Sequence, residues 1–396
     1  MIYFDTSATT PLLPEVRDRM IELMNRSVAG ELGNPSSLHT PGSRAKFELI
    51  RAREQVAQLI EARPLELIFT SGGSESNNTV VRTFENCPIF VSAIEHPSVL
   101  APAEAFGKPC IKIPVDKQGI INLGFFKTNL EKLVKENPKQ KILVSVQLAN
   151  NEVGTIEPVK EIANIIKNIK QETKAKIYLH TDATQAVGKI PVSAKDLGVD
   201  YLTFTSHKLG GPVGIAALYV KTGAPMKPLI FGGAQENKRR AGTSNVLLAS
   251  GFGVACEIAK DAIENYGKVK NVRDYLINEI KNKIETTIII TPQKSLPNVL
   301  NVSFPAAEGE STQLYLDLEN IAVSTGSACA SGDLEPSHVI MAMYHDAEIA
   351  HGSVRFSLGL NTSKQDIDEL MTKLPNIVAK IQDLSTLNKE TQNANK

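Results

Sequence analysis

Along the chain, apolar residues follow two alternating periods. Between about residue 15 and residue 220, stretches with apolar positions three and four apart give way repeatedly to short runs rich in Val, Ile, Leu and Phe. "PEVRDRMIELMNR" (14–26) and "PGSRAKFELIRAREQVAQLIEA" (41–62) carry the helical period. "LELIFT", "PIFVSAI", "CIKIPV", "KILVSVQLA", "KIYLHTDA", "YLTFTSHK" and "GIAALYV" read as strands, several of them separated by segments of helical length. Such alternation predicts an α/β fold with a mostly parallel sheet covered by helices. A long helical pattern then runs from Asn245 to about Lys283, followed by "TTIIIT", "NVLNVSF" and "SVRFSL" with helical segments between, which reads as a smaller α+β unit. The expected division is a large unit over 16–262 and a small one formed by 1–15 with 263–396, ending in a polar, frayed terminus, "STLNKETQNANK".

Charge and cysteine usage narrow the partners. Basic and acidic residues number 43 each, so no net charge draws the chain to nucleic acid or an anionic membrane. No run reaches the ~18 apolar residues of a membrane span, and "MIYFDTSATT" lacks the regions of a secretory signal, so a cytoplasmic location is expected. The four cysteines have no metal-ligand spacing, and no metal site is expected. Cys256 in "FGVACEIA", and Cys87 and Cys110 beside short apolar runs, read as packing thiols. Cys329 differs: "STGSACASGDLEPS" has the composition of a loop.

Ligands of open α/β sheets sit beyond the carboxyl ends of the strands, and five of those ends carry polar clusters. "LIFTSGGSESNN" passes from a strand into a helix through Gly72, Gly73 and Ser74, where free N–H groups suit a phosphate. "SAIEHPSV" offers His96, "VQLANNEVGT" offers Asn150 and Asn151, "YLHTDATQAVGK" offers Asp182 and Gln185, and "LTFTSHKLGG" offers Thr205, His207 and Lys208. Taken alone each has a plainer reading. Lys208 is a solvated charge after a strand, Asp182 a helix N-cap, His96 a turn residue before Pro97, and "TSGGS" an ordinary glycine turn. Together, a phosphate cradle, a stackable imidazole, a carboxylate and a lysine at one sheet edge match the needs of pyridoxal 5′-phosphate. Lys208 would be the amine, with its pKa lowered from about 10.4.

The ordered motifs "YFDTSATTPLLPEV", "GNPSSLH", "TSGGSESNN", "EHP", "ANNEVGT", "HTDATQAVGK", "TSHKLGGPVGI", "RRAGTSN", "STGSACASGDLEPS" and "VRFSLG" span nearly the whole chain. In them the sequence resembles the NifS/IscS-type cysteine desulfurases, class V pyridoxal phosphate enzymes of fold type I. The resemblance implies a seven-stranded, mostly parallel sheet in the large domain, a homodimer, and conversion of L-cysteine to L-alanine with sulfur left as a persulfide on Cys329. It implies that Lys208 holds the cofactor, His96 stacks on it, Asp182 meets the pyridine nitrogen, and Asn151 and Gln185 contact the ring oxygen. Gly73, Ser74, Thr205 and His207 would form the phosphate cup, with Thr243 reaching it from the neighbouring subunit. Arg355 would clamp the substrate carboxylate, helped by Asn34 and Asn151. The sulfur acceptor would be an iron–sulfur scaffold or a tRNA-thiolation protein; selenocysteine lyase or another class V pyridoxal phosphate enzyme is the alternative activity. Gly73-Ser74 and Thr205 depart from the commoner alanine-threonine and serine, yet keep a hydroxyl, and the tail differs from that with which the IscS type meets its scaffold.

Overall fold

The computed structural model describes residues 1–326 and 336–394, without the side chains of 386–394. Strands are β1 (Ile2–Tyr3), β2 (Leu67–Thr70), β3 (Ile89–Ser92), β4 (Cys110–Ile113), β5 (Lys141–Ser145), β6 (Lys176–Asp182), β7 (Tyr201–Thr205), β8 (Ala216–Val220), β9 (Ile288–Ile289), β10 (Val299–Ser303), β11 (Ile321–Ala322) and β12 (Ser353–Ser357). The central sheet has seven strands in the order β2-β8-β7-β6-β5-β3-β4. β8 runs antiparallel to both of its neighbours, and the remaining pairs are parallel.

Near-continuous apolar runs form these strands because both faces are covered. Successive side chains point to opposite faces. Phe90, Ile142, Val144, Leu202 and Phe204 therefore enter one core, which helices Thr40–Leu59 and Val246–Ala262 close through Val56 and Phe252. Ile89, Val91, Leu143, Tyr201 and Leu218 enter the other, with Val80 and Val81 of helix Gly73–Thr83.

The second sheet, β12-β10-β9, is antiparallel and covered by helices Tyr266–Lys283 and Lys364–Ala394. β1 joins β11 in parallel, and Asp5 bridges to Ser357, so the first residues are sewn to the last sheet. The helical pattern from Asn245 to Lys283 is broken by a tight turn at Ile263–Asn265; its first half packs on the large core, its second on the small one.

Three expectations need correction. "LELIFT" starts its strand only at Leu67, because Pro64 sets a tight turn over Pro64–Glu66 that leaves Leu65 exposed. In "TTIIIT" the strand spans only Ile288–Ile289; Ile290 still donates its N–H to Asn301 O at 2.9 Å, but its side chain joins a further cluster with Ile94, Val153 and Val339. The polar end is not frayed to its last dozen residues: helical backbone continues to Ala394.

Candidate active site

Strand ends β2, β3, β5, β6 and β7 surround a cavity of about 330 Å³. It is lined by Gly73, Ser74, His96, Asn151, Asp182, Gln185, Thr205, His207, Lys208 and Arg355, so ten of the sequence-predicted residues meet in one place. A second cavity of about 350 Å³ lies on the far side of Lys208 and Leu209, but Phe4, Pro11, Leu12, Leu13 and Leu360 give it a mostly apolar wall. The polar groups converge on the first.

Lys208 owes its position to the turn that ends β7. Ser206–Leu209 forms one tight helical turn, stopped by Gly210 at φ +74°, a conformation that favours glycine. A Cβ at Gly210 would also lie 2.6 Å from Leu13 Cγ. The small residues after Lys208 thus let the N-terminal segment close against the turn. Lys208 Nζ donates to the carbonyl oxygens of Ser7 and Ala8, each at 2.5 Å. Burial and the Arg355 guanidinium lower its pKa to about 8, against the opposing pull of Asp5 and Asp182.

Asp182, at the end of β6, is no helix N-cap. Its Oδ2 accepts from Asn77 Nδ2 at 2.7 Å and its Oδ1 from Thr184 N at 2.9 Å. Asn77 also donates to Ser98 Oγ at 2.9 Å, and Ser98 Oγ lies 2.8 Å from His96 Nδ1. His96 caps helix Pro97–Phe106 by accepting from Ser98 N, while its ring opens on the cavity. Burial pushes this imidazole below its ordinary pKa despite Asp182, with Lys208 and His338 adding to the effect. Burial and the neighbouring Lys208 and Lys189 bring His207 down to about 4, so both rings are neutral at pH 7.

The helix Gly73–Thr83 starts at the cavity wall. A Cβ on Gly73 would stand 2.9 Å from Thr205 Cγ2, so glycine here leaves room for the methyl group of Thr205. Buried Thr205 Oγ1, Thr184 Oγ1 and Arg355 Nε have no hydrogen-bond partner among the described residues. Arg355, on β12, donates to Asp5 Oδ1 at 2.7 Å and to the Asn151 carbonyl at 2.9 Å. Asn150, by contrast, is wholly buried and ties its own turn, accepting from Glu152 N and Val153 N.

Two predicted residues stand elsewhere in the single chain. Asn34 closes its own loop by accepting from Ser36 N at 2.9 Å, and Thr243 lines a separate cavity of about 230 Å³ with Ser71, Glu236 and Arg240. Cys329 lies outside the described residues, with Ser327 to Glu335. Asp5, Ser7, Ala8, Asn77, Ser98, Gln147, Thr184 and Lys189 were not foreseen. Asn77 was accessible to reasoning, since it lies one helical turn after Gly73 and shares its face.

Similarity to known proteins agrees with this geometry. Residues 2–370 match the family model described as aminotransferase class-V. The chain is 41% identical over 400 residues to a cysteine desulfurase IscS of Dictyoglomus turgidum, covering 98% of this chain and 97% of that one. The chain belongs to the class-V aminotransferase family, among the NifS/IscS-type cysteine desulfurases. A cysteine desulfurase NifS of Azotobacter vinelandii is 37% identical, with 97% and 94% of the two chains covered. The solved NifS-like protein from Rickettsia africae superposes with a TM-score of 0.84 at 33% identity, over 95% of this chain and 99% of that one. The family is one of pyridoxal phosphate enzymes of fold type I, and the seven-stranded, mostly parallel sheet fits it.

Proposed function

We propose that this chain binds pyridoxal 5′-phosphate in the Lys208 cavity and converts L-cysteine to L-alanine, moving the sulfur to Cys329. The observation that carries the reading is Lys208: an amine brought to about pH 8, held by two carbonyls, facing a carboxylate across a polar cavity. The cofactor fits the donors present. Buried hydroxyls of Thr205 and Thr184 without partners, beside the N-terminus of helix Gly73–Thr83, suit a phosphate. Asp182, already oriented by Asn77 and Thr184, suits a protonated ring nitrogen.

When bound, pyridoxal phosphate supplies an electron sink that weakens bonds at the substrate Cα. Lys208 Nζ would hold the cofactor, and the same atom would take the proton from the substrate Cα. Neutral His96 stacks on the ring, Asn151 and Gln185 meet its oxygen, and Gly73, Ser74, Thr205 and His207 cradle the phosphate, with Thr243 of a second copy completing the cup. Arg355, with Asn151 and Asn34, binds the substrate carboxylate; its unpartnered Nε is a free donor for that anion. The Cys329 thiolate forms a bond to the substrate sulfur as the Cβ–S bond breaks. The carbon keeps that electron pair and is protonated to the methyl group of alanine, leaving a persulfide on Cys329. The other thiols suit this step poorly: burial raises the pKa of Cys87 and Cys110, and that of Cys256 most of all.

We further propose that sulfur passes to an iron–sulfur scaffold or a tRNA-thiolation protein, and that the enzyme works as a cytoplasmic homodimer. Among the described residues no helix is long and apolar enough to cross a membrane. The division into 16–262 and 1–15 with 263–396 is also a proposal, supported by the separate packing of helices Val246–Ala262 and Tyr266–Lys283.

The test is Cys329→Ser. It should purify with cofactor bound and change its visible spectrum when L-cysteine is added, yet form no protein persulfide and release almost no alanine. A persulfide on this variant, mapped by mass to Cys87, Cys110 or Cys256, would overturn the assignment.

A further inference from the structure

Behind the cavity lies a lysine that the reaction above does not use. Lys189 is 2% exposed, and a fully buried lysine is rare unless a carboxylate pairs with it. Among the described residues no acid stands within ion-pair distance, and the charges that act on it, Lys208 and Arg355, are both positive. Burial and these two cations bring its pKa down to about 7. Among the described residues the one hydrogen bond of its side chain joins Nζ to Gln185 Oε1 at 3.0 Å. Gln185 in turn donates from Nε2 to the Ser7 carbonyl at 2.9 Å, and that same carbonyl accepts from Lys208 Nζ.

A glutamine side chain can turn over and exchange its oxygen and nitrogen, and the choice is made by its neighbours. Here the two neighbours agree. A backbone carbonyl can only accept, so the Ser7 oxygen requires the Gln185 nitrogen; that turns the Gln185 oxygen to Lys189 Nζ, which can donate to it as an ammonium or as a neutral amine. The second N–H of Gln185 is left for the cavity that its side chain lines. Without a donor at position 189 the oxygen would be buried unpaired, and the amide would lose half of what fixes it.

We infer that Lys189 is a positioning residue: it locks the Gln185 amide with its N–H face toward the Ser7 carbonyl and the cofactor cavity. The inference rests on the reading that this cavity takes pyridoxal phosphate. It assigns Lys189 the part of a hydrogen-bond donor; its charge is not what matters.

Three variants test it on the holoenzyme, read by the dissociation constant of pyridoxal phosphate and the absorbance maximum of the bound cofactor. Lys189→Met removes the donor and leaves Gln185 Oε1 unpaired, which should weaken retention about tenfold, as loss of one partner to a buried polar group typically does, and shift the absorbance maximum. Lys189→Gln keeps a donor without charge and should stay within about twofold of wild type, a fraction of one hydrogen bond. In a Gln185→Met background, adding Lys189→Met should change neither readout, because the residue acts only through Gln185. Equal losses in Lys189→Met and Lys189→Gln, or a full further loss in the Gln185→Met background, would overturn the inference. So would a lowered Tm of the cofactor-free form shared by both single variants, which marks a purely structural role. If the wild-type protein bound no pyridoxal phosphate, the functional reading itself would fail, an outcome distinct from all of these.

Discussion

At the cavity surface, Lys208 has two carbonyl acceptors and Asp182 has two N–H donors, whereas in the interior the side chains of Glu95, Glu157 and Lys189 each have a single hydrogen-bond partner among the described residues. The buried groups respond by shedding charge. Burial drives Glu95 well above the ordinary carboxylate range and Glu157 up to about 8, and it takes Lys189 down to about 7. The two regions contain the same residue types. What separates them is the number of local partners: the inner side chains hold backbone and amides in place, and the outer ones stand where a ligand can meet them.

The sharpest way to break that contrast is Lys208→Ala. If Lys208 served only as the inner lysine does, its loss would leave turnover in place; the expected result is no alanine from cysteine, no covalently held cofactor absorbance, and an unchanged fold by circular dichroism. Normal turnover would refute the assignment. Next is Arg355→Ala, which removes the fork facing the substrate and strands its carboxylate, at a cost of about 2 to 5 kcal/mol in kcat/KM. An unchanged kcat/KM for cysteine would show that another group binds the carboxylate.

The smallest effect is expected in the interior, at Glu157. Its carboxyl keeps a proton in the folded state that the unfolded chain gives up, so its stabilising share is complete below the ordinary carboxylate range. That share is lost as pH rises toward 8, with a slope of up to about 1.4 kcal/mol per pH unit. Glu157→Gln lacks the titration and should have a Tm close to wild type near pH 5 and above it near pH 8 by calorimetry. Parallel Tm–pH curves for the two proteins would mean that Glu157 is ionised in the folded state.

Legibility in the sequence followed the same division. His96, Asp182, Thr205 and Lys208 could be placed because each follows a strand whose apolar run is plain, and strand ends share one edge. The antiparallel run of β8 could not be read, since an apolar run buried on both faces has no direction written in it. Nor could the acceptors for Lys208: carbonyls of Ser7 and Ala8 belong to the backbone and carry no residue signature, and they lie 201 and 200 positions away. Lys189 was hidden for another reason. Two residues past the apolar "AV" of "TQAVGK" it reads as a surface charge, and only the closed fold reveals that it is inside. Thr243 and Asn34 stay apart from the cavity in one chain, and for Thr243 the role proposed above needs a second copy.

The pairing of β1 with β11, and of Asp5 with Ser357, has a consequence for how the protein comes into being. A ribosome releases residues 2–8 before their sheet partners, 320–358, which follow more than three hundred residues later. Until then the segment that anchors the Lys208 amine is held by the turn after β7, through Thr10 and Leu13. The acceptors of the reactive amine are therefore braced from both sides only once residues 320–358 have emerged.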